Sequence, residues 1–183
     1  PSMVVVMPGL SDFAFDYASK MGDWFSKNRK DGKWPCDIIN YHHYSNTGNK
    51  LKQYPPKWNE NGACLPADDE NFNSVRNIVY GANFAGKKVW ITEMGADTVA
   101  PSMMLAKTPS KSSEDFQAEI ITESLKAYQA DGVDAVFVFT AHDDYGAADG
   151  GQFETCGLWT SQATGYKPKP SSKAVKSFIE GLK

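Results

Sequence analysis

Lys88-Val89-Trp90-Ile91-Thr92-Glu93-Met94-Gly95 is a short apolar run that ends in a carboxylate and a glycine. It reads as a strand over residues 88–92, buried on both faces, because polar residues do not alternate with apolar ones. Three other runs read the same way. Met3-Val4-Val5-Val6-Met7 is closed by Pro8-Gly9. Cys36-Asp37-Ile38-Ile39-Asn40-Tyr41 leads into a histidine pair, and Ala135-Val136-Phe137-Val138-Phe139-Thr140 into His142.

Each run is followed by a segment at helical spacing. Phe13, Tyr17, Met21, Trp24 and Phe25 predict a helix over about residues 12–30, with Ser11 or Asp12 as its cap. Asp68 and Asp69 open a second, carrying Phe72, Val75, Ile78 and Val79. Ser113 opens a third, carrying Phe116, Ile120, Ile121, Leu125 and Tyr128, with Gly132 at its C′ position. Pro170 or Ser171 opens the last, carrying Val175, Phe178, Ile179 and Leu182.

Strand–helix repeated four times demands a parallel sheet covered by helices, hence an α/β fold. The loops after strands two, three and four are long and polar, and the connections into strands are short. That asymmetry belongs to a (β/α)8 barrel, whose active face lies at the C-terminal ends of its strands. A full barrel takes eight units and roughly 250 residues. Residues 1–183 therefore read as a single (β/α)-repeat domain of four units, a partial barrel. An open flavodoxin-like sheet is the alternative, but Pro8-Gly9-Leu10-Ser11 supplies no glycine-rich phosphate loop.

Composition narrows the function. The 183 residues hold 19 Lys plus Arg and 22 Asp plus Glu, a formal charge of −3, with 41% hydrophobic and 13% aromatic residues. This is a globular composition with apolar mass enough for a core. Arg29 and Arg76 are the only arginines and no basic run exists, which argues against a nucleic-acid partner. No stretch approaches the ~20 apolar residues of a membrane span. No signal peptide opens the chain, as in a mature or truncated protein. Cys36, Cys64 and Cys156 are widely spaced, so one disulfide with a free thiol and three buried thiols both stay open.

The chemistry gathers at the strand ends. Glu93 follows the third strand and faces the mouth of the sheet, or else caps a helix or pairs with a lysine. The second strand ends in Asn40-Tyr41-His42-His43-Tyr44. Alternation sends His42 and Tyr44 one way and Tyr41 and His43 the other. One pair lines the mouth, where a tyrosine can hold a carboxylate ionised. The fourth strand leads to His142-Asp143-Asp144-Tyr145. Three histidines and two aspartates near strand ends raise a metal site, but no ligand spacing fixes one. Trp58, Tyr54, Tyr145 and Trp159 lie in the long loops. Such rings stack on the C–H faces of sugars, or fill the loops' own small cores.

Together these segments resemble the C-terminal half of a clan A glycoside hydrolase, close to families 5 and 39. The residues that carry the resemblance are Asp37 to His42-His43-Tyr44, Thr92-Glu93-Met94-Gly95, and Phe139 on to Gly157-Leu158 and Lys167-Pro168-Lys169-Pro170. The resemblance implies strands five to eight of a (β/α)8 barrel and a retaining O-glycoside hydrolase acting on a polysaccharide or oligosaccharide, without a cofactor. It makes Glu93 the nucleophile, Tyr44, or Tyr41 less readily, its hydrogen-bonding tyrosine, and His42 a sugar contact. Around them His43, Tyr41, Trp58, Asp143, Tyr145 and Trp159 are the expected substrate-binding residues. It also implies an extracellular or periplasmic protein.

Two departures stand out. The tryptophan common at the end of strand eight has no counterpart; Phe139, Thr140 and Ala141 occupy that stretch. The family's acid/base ends strand four as Asn-Glu, whereas the only Asn-Glu here is Asn59-Glu60, in the loop after the second strand. The expected partners are a carbohydrate and either the N-terminal half of the same barrel or a second copy. A catalytically silent carbohydrate-binding half-barrel and a metal-dependent hydrolase are the alternatives.

Overall fold

A computed structural model of the protein describes residues 3–9, 15–43, 86–98, 112–144 and 153–182. Three strands, β1 (Ile38–His43), β2 (Lys88–Met94) and β3 (Ala135–Val138), form a parallel sheet in the order β1-β2-β3. Three α-helices belong to the described residues, α1 (Phe15–Asn28), α2 (Ser113–Ala130) and α3 (Pro170–Gly181). The predicted helix opening at Asp68 lies outside the described residues.

The first apolar run differs from its sequence reading. It touches the sheet through one parallel bridge, Val6 to Ile38, with the Met7 amide donating to the Ile38 carbonyl at 2.9 Å. Met3 is 84% and Val4 62% exposed, so the run is not buried on both faces. Its physical position explains this: it lies along β1, and among the described residues it pairs on that side only.

Helix α2 forms as its sequence predicts. The Ser112 Oγ accepts from the Asp115 amide at 3.1 Å, and the Asp115 carboxylate accepts from the Ser112 amide at 3.4 Å. This reciprocal cap is worth about 1 kcal/mol. Gly132, at φ +76°, takes the left-handed turn that ends the helix. Phe116, Ile120, Ile121, Leu125 and Tyr128 form its buried face. The cluster that Ile120, Ile121, Leu125 and Tyr128 join includes Ile39 and Tyr41 of β1 and Val89, Ile91 and Met94 of β2. Each such side chain removed from water contributes roughly 1.5–3 kcal/mol. Helix α3 starts on Pro170 and packs against α2, with Val175 and Phe178 turned to the core. Ile179 and Leu182, also predicted to face inward, are more than half exposed.

Among the described residues the helices pack on one face of the sheet and leave the other open. Trp90 and Phe137 lie side by side on the open face with ring centroids 5.8 Å apart, and Phe137 is 49% exposed. Asn40 is there too, accepting from the Thr92 hydroxyl at 2.5 Å. None of the described helices is long and apolar enough to cross a membrane.

Candidate functional site

The open face carries its polar groups at the C-terminal ends of β1 and β2. His42 pairs with Glu93 in the strand register, and His42 Nδ1 lies 3.5 Å from Glu93 Oε2. Both are partly exposed, with 21% and 37% of their side chains open to solvent.

Glu93 reaches this face through a break in the ladder. Up to Ile91 the register is regular, with Tyr41 opposite Ile91. The next pair is His42 with Glu93, so Thr92 is an extra residue on β2. Val89 and Ile91 face the helices. Strict alternation would send Glu93 the same way and bury its carboxylate against α2. The bulge instead turns Glu93 toward His42 and returns Met94, 1% exposed, to the core. Nothing in the sequence marks this bulge. Gly9, which the sequence suggested only as the end of the first strand, lies against the His42 ring; a Cβ there would collide with Nε2.

Tyr41 and His43 occupy the opposite, helix-facing side. Tyr41 is fully buried and His43 is 1% exposed, with their rings stacked at 6.5 Å. His43 Nδ1 is hydrogen-bonded to the Tyr128 hydroxyl of α2. Pleating separates consecutive residues, so burial takes both off the face that holds Glu93. Tyr44, Trp58 and Tyr145 lie outside the described residues.

The segment after β3 is built around a buried ion pair. Lys169 Nζ donates to Asp143 Oδ1 at 2.8 Å and to the Thr155 carbonyl at 3.0 Å. The same Oδ1 accepts from the Gly157 amide at 2.9 Å. Asp143, expected to touch substrate, is thus engaged inside the protein. Gln117 extends the polar cluster, donating to the Ala96 and Thr155 carbonyls and accepting from Ser171. It thereby links the segments that follow β2 and β3. Above them Trp159, 38% exposed, is bridged to His142 on one side and Pro168 on the other. In the sequence Lys169 stands out only as part of Lys167-Pro168-Lys169-Pro170, and its burial has no local signal. The Phe139–Thr140 peptide is cis.

The three histidines take separate positions. His42 faces Glu93, His43 faces Tyr128, and His142 bonds the Asp143 carbonyl at 2.8 Å. Among the described residues no three His, Cys, Asp or Glu side chains gather as a metal site would require. Cys36 and Cys156 are buried free thiols, and burial raises the pKa of both.

No family model and no curated protein matches the chain. Solved structures do resemble it. A GH2 beta-galacturonidase from Eisenbergiella tayi bound to galacturonate aligns with TM-score 0.51 and 21% identity over 81% of this chain. A family 39 glycoside hydrolase from Bacteroides cellulosilyticus aligns with TM-score 0.51 and 15% identity over 84%. Xylanase 10B from Thermotoga petrophila, in complex with xylobiose, aligns with TM-score 0.51 and 20% identity over 90%. The fold likeness is to glycoside hydrolases. The chain spans 24%, 28% and 42% of the lengths of these three. At such identities the likeness speaks for the mixed α/β fold and its parallel sheet.

Proposed function

We propose that the chain is the C-terminal half of a clan A (β/α)8 barrel, near families 5 and 39, and contributes the nucleophile of a retaining O-glycoside hydrolase. Glu93 is that nucleophile, and the substrate is a polysaccharide or oligosaccharide. The observation that carries the reading is the His42–Glu93 pair, at the C-terminal ends of adjacent parallel strands and on the face away from the helices. That is where a (β/α)8 enzyme keeps its chemistry. The fold likeness to glycoside hydrolases supports it.

Retaining hydrolysis needs two carboxyl groups about 5–5.5 Å apart. Glu93 attacks the anomeric carbon as the leaving oxygen takes a proton from the second group. Water, activated by that second group, then releases the sugar from Glu93. His42 binds a sugar hydroxyl beside the nucleophile, Tyr44 hydrogen-bonds the Glu93 carboxylate, and Trp58, Tyr145 and Trp159 offer ring faces to the sugar. The acid/base comes from an N-terminal half that completes the barrel. Apolar surface at both sheet edges suits such a partner: Met3 and Val4 at one, Phe137 at the other. Beside β3 a groove of about 260 Å³, lined by Leu125, Val136, Val138, Val175 and Phe178, offers a seat for its side chains. Such a protein acts outside the cell or in the periplasm.

The test is hydrolysis of a panel of aryl glycosides by this chain alone and after addition of the N-terminal half. Negligible activity alone and restored activity together is the expected result. Full activity from this chain alone would put the acid/base within it and overturn the two-half account. Sugar binding without hydrolysis by the completed barrel would replace the enzyme with a silent carbohydrate-binding barrel.

A further inference from the structure

The sequence reading offered His43 as a sugar contact or as one of three histidines of a metal site, and in the structure the residue is 1% exposed. His43 is nevertheless the residue next to His42 in β1. Consecutive side chains on a strand point to opposite faces. The backbone that presents His42 to Glu93 therefore presents His43 to α2.

There the His43 imidazole meets Tyr128. The two side chains are hydrogen-bonded, their rings are edge to face at 5.4 Å, and each residue is 1% exposed. A buried polar pair of this kind holds one geometry, because its members find no water to replace the bond. The bond ties the last residue of β1 to the last turns of an 18-residue helix.

The attachment falls beside a break in the β1–β2 ladder. Between Tyr41 and His42 the β1–β2 register shifts, so the ladder does not by itself set the direction of His42. Contacts on both faces flank the shift. On the open face the Thr92 hydroxyl donates to Asn40, and Gly9 closes against the His42 ring. On the helix face the contact is His43 with Tyr128.

We infer that Tyr128 is a positioning residue for the His42–Glu93 pair and acts on it through His43. The functional meaning of this rests on Glu93 as nucleophile; the structural test does not.

The experiment uses protein labelled with 15N-histidine and compares ring nitrogen resonances of the parent, Tyr128→Phe and Leu125→Ala. Phe keeps the ring and removes only the hydroxyl. Leu125→Ala disturbs the same helix one turn before Tyr128 and keeps the Tyr128 hydroxyl. The expected result is that Tyr128→Phe moves the resonances of His43 and also those of His42, while Leu125→Ala leaves His42 in place. His43→Leu and His43→Gln make the comparison from the strand, which covers the case in which Tyr128→Phe does not fold. The glutamine amide can still bond Tyr128, so His42 should stay near its parent position with Gln and move with Leu. A His43 shift with His42 unchanged would overturn the inference, as would equal His42 shifts in Leu125→Ala or in the Gln and Leu variants. If an active Glu93→Gln enzyme removed the nucleophile reading, the NMR outcome would still stand.

Discussion

His42 and Glu93 face each other across two adjacent parallel strands, Nδ1 to Oε2 at 3.5 Å, because Thr92 is an extra residue in β2. The bulge converts a carboxylate that alternation would bury into one that reaches the open end of the sheet. Bulges beside active sites commonly re-aim a side chain in this way.

Under the proposed mechanism, replacing Glu93 by Gln keeps the shape and removes the attacking carboxylate. In the completed barrel, turnover is expected to fall by ~10⁴-fold or more, the scale of nucleophile removal in other covalent enzymes. Sugar affinity, measured by calorimetry, should stay within a few-fold of the parent. Retained turnover would remove Glu93 from the mechanism.

Lys169→Met tests the buried pair. The Lys169 side chain is 2% exposed, and its loss leaves Asp143 with a buried, unbalanced charge. Breaking one partner of such a pair costs about 3–5 kcal/mol. Denaturant unfolding should show this as a lower midpoint. Lys169→Met with Asp143→Leu should recover part of the loss, since the stranded carboxylate is gone. An unchanged midpoint in the single variant would show that the pair contributes nothing.

Gly157→Ala should destabilise through crowding alone. A Cβ at this position would collide with the backbone of His142 and Asp143, which cannot rotate aside as a side chain can. Overpacking of this kind costs about 1–3 kcal/mol. Thermal unfolding reads it directly, and a melting temperature equal to the parent's would contradict the close approach.

The buried thiols give a pH dependence. Burial raises the Cys156 thiol pKa far above its usual value, with the Asp97 carboxylate adding to the effect, and burial raises that of Cys36 as well. Each keeps its proton in the folded protein at a pH where the unfolded chain loses it. Their stabilising contribution is therefore full below the unfolded thiol value of about 8.5 and is lost as pH rises toward the raised folded values. Iodoacetamide at pH 8, followed by peptide mass spectrometry, should leave the Cys36 and Cys156 peptides unlabelled until denaturant is added. Rapid labelling of either in the folded protein would contradict its burial.

The parts of this molecule legible in sequence are those set by local pattern. The buried face of α2 and the turn at Gly132 follow from spacing and residue type, whereas the cap falls on Ser112, one residue before the Ser113 that the sequence reading gives as the opening. The apolar runs at Ile38, Lys88 and Ala135 mark strands for the same reason. What escaped was decided by tertiary position. Met3 to Val6 is as apolar as a central strand, yet it lies at an edge, and its composition carries no record of its neighbours. Ile179 and Leu182 keep helical spacing past the point where α3 leaves the core. At the site, Glu93 was legible as a strand-end carboxylate, but the bulge that aims it depends on pairing with β1. Likewise, alternation separates His42 from His43 without saying which faces Glu93. Tyr128 settles that, 85 positions along the chain from His43.

The most direct measurement is covalent trapping. The completed barrel is incubated with a 2-fluoro glycoside carrying a good leaving group, digested, and read by peptide mass spectrometry. A retaining nucleophile forms a glycosyl ester that the fluorine makes slow to hydrolyse. The expected result is one added glycosyl group on the peptide that contains Glu93, absent in Glu93→Gln. A label on any other carboxylate, or product of inverted anomeric configuration by NMR, would contradict the assignment of Glu93.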